Sequence, residues 1–271
     1  MARGPAVRDR RAAIGALLSH YDRSQLAYQL NEIVGERTYL RHGIEVTEGD
    51  IVLDVGANVG VAAAFFVIEC RAGRVHCFEP VPPLVELLRE NLRSLDACAV
   101  HGYGLSSVDG RVAITYYPAA AAMSGLYADP DRDAAVVRRC LLNLGFSEDA
   151  ADAELEGRYE PTELTCELRT LSRVVREEAI ERIDLLKIDV ERAELDVLLG
   201  IDEPDWRRIA QVVAEVHDED GRLGAVREML DDHGFGVVVD QDPVMLGTEV
   251  HMVYARRETR QTPRGRFEPA P

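Results

Sequence analysis

The residues Asp54-Val55-Gly56-Ala57-Asn58-Val59-Gly60 join a carboxylate to a glycine-containing turn. An apolar, β-branched run precedes them and an apolar stretch follows, so they lie where a buried strand gives way to a helix. In a fold of alternating strands and helices that place is the ligand crevice at the carboxyl ends of the strands. Glycines there let the backbone approach a ligand, and the helix N-terminus offers free N–H groups. A dinucleotide turn needs G-x-G-x-x-G with its middle glycine against the pyrophosphate, and that glycine is missing here. Asp54, facing the crevice, would repel pyrophosphate but suit a cation. The charge therefore favours S-adenosyl-L-methionine over NAD, with Asp54, Gly56, Ala57, Asn58 and Gly60 as cofactor-binding residues. Glu79, 23 residues after Gly56, follows a second strand and can accept both ribose hydroxyls. Ser106, after a third strand, is placed to touch the adenine edge.

A second group gathers at the ends of two later strands. Asp189 and Glu191 are two residues apart, so strand alternation puts them on one side, and Glu194 joins them if a helix has begun. Glu215 and His217 repeat the spacing on the next strand. His217, with an ordinary pKa of ~6.5, is the candidate general base for a hydroxyl acceptor. Asp189 and Glu191 complete the catalytic set, and Asp189 also reaches the cofactor. Acids in a first helical turn also stabilise the helix, which is the alternative role for Glu191 and Glu194. The same oxygens would suit Mg²⁺, but nothing in the pattern demands a metal and none is expected. Lys187 lies within a buried strand on the side of Asp189 and Glu191, which predicts a structural ion pair. Tyr39 is a candidate cover for the cofactor, and Tyr127 for the acceptor pocket.

The elements that must position these groups alternate. Strands are expected at 51–55, 74–78, 97–101, 111–117, 183–190, 210–216, 235–239 and 249–255. Helices are expected at 59–70, 82–95, 192–199 and 222–233, with an N-terminal helical extension over 12–34. Strand–helix alternation implies a parallel sheet with right-handed crossovers. The last two strands have only a short connection, which makes them an antiparallel pair at the edge. Residues 118–161 break the alternation with two helical stretches, near 133–144 and 147–157. They read as an insertion over one end of the sheet, a candidate lid.

The chain has 271 residues, 46% of them hydrophobic, which is enough for a large core. Its net charge of −17 repels phosphate backbones and anionic lipid, arguing against nucleic-acid and membrane partners. Both ends are Arg-rich and read as solvated tails. The five cysteines form no CxxC pair, so neither a disulfide scaffold nor a structural zinc site is expected. No apolar run is long enough to span a bilayer, and the basic N-terminus lacks an apolar signal core. A cytoplasmic protein is the expectation.

The residues 52–60, then Phe78-Glu79-Pro80, then Leu185-Leu186-Lys187-Ile188-Asp189-Val190-Glu191-Arg192-Ala193-Glu194-Leu195 with Leu199-Gly200, resemble the FkbM family of class I adenosylmethionine-dependent methyltransferases. The likeness runs in order over about 38–255. It implies an α/β, Rossmann-like fold with a seven-stranded sheet in the order 3-2-1-4-5-7-6 and strand 7 antiparallel. It also implies methyl transfer, usually to a hydroxyl of a natural product, sugar or similar small molecule. Two positions depart from the family pattern. Arg192 stands where a glycine is usual, and Ser172 where an aspartate is usual. Arg192 is expected to reshape the acceptor pocket or to pair with Glu191 or Glu194.

The expected organisation is an N-terminal helical extension (1–37), a methyltransferase domain (38–257) carrying the 118–161 insertion, and a flexible tail (258–271). The expected activity is O-methylation of a small-molecule acceptor by a monomer or homodimer. An acidic pocket keeps N-methylation of a small amine open, and a binding protein on an inactive methyltransferase fold is the remaining alternative.

Overall fold

The computed structural model describes residues 5–20 and 22–257; residues 1–4 and Tyr21 of the expected N-terminal extension and the expected tail at 258–271 lie outside them. Among the described residues ten strands occur in chain order: β1 (Ile51–Val55), β2 (Arg74–Phe78), β3 (Cys98–His101), β4 (Gly104–Leu105), β5 (Gly110–Tyr116), β6 (Thr162–Arg169), β7 (Leu185–Ile188), β8 (Gln211–His217), β9 (Phe235–Asp240) and β10 (Val250–Arg257). Seven form one sheet in the order β3-β2-β1-β7-β8-β10-β9. Counted along that sheet alone, this is the expected 3-2-1-4-5-7-6. The last strand, β10, is antiparallel to both of its neighbours, and the other pairings are parallel. The Rossmann-like class I topology implied by the motifs is the topology found.

Continuous apolar strands require cover on both faces. On one face Val52, Val75 and Cys77 pack against α3 (Val61–Ile68), whose sequence VAAAFFVI is apolar all round, and against α4 (Pro82–Leu92). On the other, Leu53, Leu186, Ile188 and Val212 pack against α7 (Leu171–Glu177), α8 (Glu194–Leu199) and α9 (Arg222–Asp232). Among the described residues no helix is long and apolar enough to cross a membrane, and all five cysteines are free.

Three features differ from the sequence reading. The N-terminal helix is not continuous. It divides into α1 (Pro5–Leu17), α2 (Arg23–Gln29) and a π-helical turn, Leu30–Gly35, because Asp22 caps α2 by accepting the Ser24 and Gln25 N–H groups. A strand unassigned in the sequence, β6, pairs antiparallel with β5 and parallel with β4 in a second, three-stranded sheet. The 118–161 segment is therefore the connection between two paired strands, and it carries α5 (Pro130–Asn143) and α6 (Glu148–Leu155). Finally, β7 stops at Ile188. Glu191 and Arg192 follow in the left-handed region, at φ 51° and 76°, so strand alternation does not place Asp189 and Glu191.

Candidate active site

One cavity of about 330 Å³ opens over the carboxyl ends of β1, β2, β7 and β8. Its floor is the β1 turn, Gly56 to Asn58, with Glu79 and Pro80 beyond β2. Asp189, Glu191, Glu215 and His217 form the opposite side. The roof comes from two segments far apart in sequence. Met123 to Leu126, α5 and Tyr159 close one side, and Gln25, Tyr28 and Glu32 close the other. The two halves of the roof touch: Arg158 pairs with Asp22 at 3.2 Å, and the Gln25 side chain donates to the Ala119 carbonyl at 3.1 Å. The 118–161 segment and the N-terminal segment thus cover the site together.

At the β1 end the structure sorts the predicted residues. Gly56 (φ 79°) lines the cavity floor and also admits a neighbouring loop. A Cβ there would lie 1.7 Å from the Asp189 carbonyl oxygen, so this glycine admits the β7 loop. Asp54 is fully buried behind the cavity wall. It stands directly across from Lys187 in the β1–β7 register, and Lys187 Nζ lies 3.0 Å from its carboxylate. The expected ligand cation is therefore already supplied by the protein. Lys187 also donates to the Gly56 carbonyl (2.7 Å) and sits 3.6 Å from Asp189, bearing out the structural ion pair. Ala57 and Asn58 line the cavity, whereas Gly60 opens α3 and abuts Leu88 and Leu92. Ser106 is buried against Gly200 and gives its N–H to the Arg169 carbonyl. Gly104 and Leu105 line the cavity in its place.

Glu79 is 4% exposed and aimed into the cavity. Each of its oxygens accepts one backbone N–H, from Asn58 at 2.9 Å and from Val81 at 3.0 Å, leaving each oxygen able to accept again. That donor requirement matches the vicinal hydroxyls of a ribose. Burial pushes its pKa up to about 7, against the pull of the two N–H groups.

The far side is an acid cluster around one imidazole. Tyr39 donates its hydroxyl to Asp189 at 2.7 Å, holding the carboxylate at the cavity edge. His217 is 1% exposed, with Nε2 at 3.4 Å from Glu191 and Nδ1 at 3.6 Å from Glu194. Burial opposes its protonation, but the Glu194 carboxylate at Nδ1 and the charge on Glu191 outweigh it and push its pKa up to about 9. The ordinary histidine range assumed from sequence does not hold. Burial likewise raises Glu191 to about 8, with His217 opposing and Asp189 and Glu194 adding to the rise. Glu215 is driven well above the carboxylate range by burial and by Asp189, Glu32, Glu191 and Glu194.

Two expectations are corrected. Tyr127 is half-exposed outside the cavity, donating to Asp196 at 2.8 Å beneath the Arg222 guanidinium. The Arg192 guanidinium pairs with neither Glu191 nor Glu194. It is buried against Asp133 of α5, Glu219 (2.6 Å) and Glu249 (3.7 Å), while its backbone N–H donates to Glu194 at 2.8 Å. The sequence reading missed Glu32, which burial and Asp189 raise to about 8. An acid between Leu30 and Ile33 in an apolar periodic stretch was the available signal.

A family model described as the methyltransferase FkbM domain matches residues 54–237. The 31-O-demethyl-FK506 methyltransferase FkbM of Streptomyces tacrolimicus is 42% identical over 247 residues, spanning 90% of this chain and 94% of that protein. The methyltransferase sdnD of Sordaria araneosa is 30% identical over 254 residues, 89% and 94% of the two chains. The AMB antimetabolite synthetase AmbE of Pseudomonas aeruginosa is 38% identical over 248 residues, which cover 86% of this chain and 12% of that protein.

Proposed function

The chain belongs to the FkbM family and is a methyltransferase, and from that premise we propose that it moves the methyl group of S-adenosyl-L-methionine to a hydroxyl of a small natural-product-like acceptor. One observation carries this reading. A buried carboxylate with spare acceptor capacity, Glu79, and an imidazole–carboxylate pair, His217 with Glu191, lie at opposite ends of one covered cavity.

When bound, the cofactor supplies an electrophilic methyl on a sulfonium. Glu79 would accept the ribose hydroxyls, with the 57–58 turn and Leu105 among the residues that would hold the nucleoside. Asp189, fixed by Tyr39 and Lys187, would supply an acceptor for a cationic group of the cofactor. The acceptor enters beneath Met123–Leu126 and Tyr159, where the roof keeps water from the reacting atoms. His217 in its neutral form takes the hydroxyl proton, and Glu191 and Glu194 then hold the resulting imidazolium. The relative acting on demethyl-FK506 supports an oxygen acceptor. The acid cluster of Glu32, Asp189, Glu191 and Glu215 favours a second reading, an amine-bearing acceptor methylated on nitrogen. The net charge and the free cysteines suit a cytoplasmic protein, acting as a monomer or homodimer.

Calorimetric titration with S-adenosylhomocysteine tests the cofactor assignment. Micromolar binding by wild type, lost in Glu79→Ala, is the expected result. No binding by a well-folded wild type overturns it. Assays with paired hydroxyl and amine compounds then separate the two acceptors.

A further inference from the structure

We propose that His76, His101 and Glu178 form a binding site for one divalent transition-metal ion of the zinc class, outside the methyl-transfer cavity. Parallel pairing of β2 with β3 sets His76 opposite Ala99, so His101, two residues on, shares the His76 face of the sheet. The rings lie nearly parallel, 12° apart, with His76 Nδ1 at 3.1 Å from His101 Nε2. Glu178, just beyond α7, completes the group: its carboxylate lies 4.0 Å from His101 Nδ1, and one ligand atom from each of the three residues lies within 4.8 Å of the others. None of the three lines the cavity.

Two neutral imidazoles that point nitrogens at one another share a single proton between them. A metal ion takes that proton's place when the donating ring moves its hydrogen to its other nitrogen. No net proton is released. Two nitrogens on a tetrahedral zinc lie about 3.4 Å apart, so the pair needs to open by only a few tenths of an ångström. The second shell is present as well. The Tyr103 hydroxyl lies 3.2 Å from His101 Nδ1 and can accept its hydrogen, which turns the Nε2 lone pair toward His76. Phe78 stacks on the His101 ring at 4.8 Å and fixes its plane. Nearby cations do not block the site. Arg169 is held by Glu167 and Glu177, and Arg74 donates to the Asp96 carbonyl. Glu178 is 37% exposed, which gives an ion a path from solvent and leaves a position for water. A two-nitrogen, one-oxygen set selects zinc, cobalt, nickel or copper over magnesium and calcium. The His101 carbonyl accepts the Glu79 N–H at 3.2 Å, so an ion here would brace the strand end that carries Glu79.

The test is titration of chelator-treated protein with Zn²⁺ by calorimetry and with Co²⁺ by visible absorption. His76→Gln, His101→Phe (which keeps the stacking) and His42→Ala are run alongside wild type. One equivalent bound with about micromolar affinity, weakened at least ~10-fold in the first two variants and unchanged in the third, is expected. Absence of binding, equal affinity in all variants, or cobalt–thiolate charge transfer overturns the site, the last two as an adventitious ion only. Histidine side-chain nitrogen spectra of wild type give an answer independent of variant folding. Zn²⁺ should shift two rings and lock their tautomers, and unchanged spectra refute the proposal.

Discussion

Lys187 and Asp54 face each other across the β1–β7 pair at 3.0 Å, both almost completely buried. Burial pulls the Lys187 pKa down, but Asp54 and Asp189 more than restore it, so the ammonium stays charged. Removing Asp54 leaves that charge without its closest counter-ion. We expect Asp54→Ala to cost ~3–5 kcal/mol in denaturant unfolding, while Lys187→Met with Asp54→Asn recovers much of it. A variant as stable as wild type that has lost S-adenosylhomocysteine would instead make Asp54 a direct ligand.

Glu79 gives a pH dependence for cofactor binding. Its pKa is raised to about 7, and only the ionised carboxylate can accept hydroxyls at both oxygens. Affinity for S-adenosylhomocysteine should be highest above 7 and fall as the pH drops below it, by up to ~10-fold per unit. Glu79→Gln should bind weakly with a flat profile. Calorimetry on either side of neutrality decides; a wild-type profile as flat as the variant's rejects the role.

His217 gives a pH dependence for turnover. Glu191 and Glu194 hold it as an imidazolium up to about 9, against burial and the nearby Arg192, while burial, Asp189 and Glu194 raise Glu191. A base must be unprotonated, so kcat/KM should rise on a limb in the range of about 8 to 9, well above a free imidazole. His217→Ala should lose ~10²–10⁴ in kcat and that limb with it. Unchanged turnover would remove His217 from the mechanism and favour the amine acceptor, which needs no base if it enters neutral.

Much of this was legible in sequence because it is local. Apolar runs gave the sheet strands, and the order of motifs gave their arrangement. β6 was also legible: Leu164, Cys166 and Leu168 alternate with polar residues, but the 44-residue helical segment at 118–161 separates it from β5 and hid their pairing. What could not be read was long-range pairing. Alternation showed that Lys187 needed an acid but not that Asp54 would be it, because register between distant strands decides that. Asp54 accordingly looked like a ligand contact although it faces Lys187 across the β1–β7 pair, whereas Gly56 both lines the cavity and admits the Asp189 carbonyl at that junction. The partners of Arg192 lie 59 residues back in α5 and beyond β8, where no spacing rule reaches.

Gly56 should accept no side chain. A Cβ would collide with the Asp189 carbonyl, and φ is already 79°. Gly56→Ala is expected to destabilise strongly, with a lower melting temperature and loss of methyl transfer. Near-wild-type melting would mean that the β7 loop moves freely, contrary to the packing described.

Arg192 should act as the strut between the insertion and the catalytic loops. It sits at φ 76°, where an arginine is strained by ~1–3 kcal/mol and a glycine is not. The strain is held by a buried ion group that ties α5, through Asp133, to Glu219 beyond β8. Asp133 is itself fully buried, where it accepts the Tyr117 hydroxyl at 2.9 Å and pairs with the guanidinium. Arg192→Gly relieves the backbone but strands Asp133. The loss of the pair, ~3–5 kcal/mol, exceeds the relief. The variant should therefore fold less stably, and its 118–161 segment should be cut faster by protease. KM for the acceptor should rise more than affinity for S-adenosylhomocysteine falls, because the roof rather than the Glu79 end has loosened. Arg192→Gly with Asp133→Asn should recover stability without restoring KM. If Arg192→Gly resists protease as wild type does and keeps its KM, α5 is held by its own packing and Arg192 is only a tolerated replacement for the family's glycine.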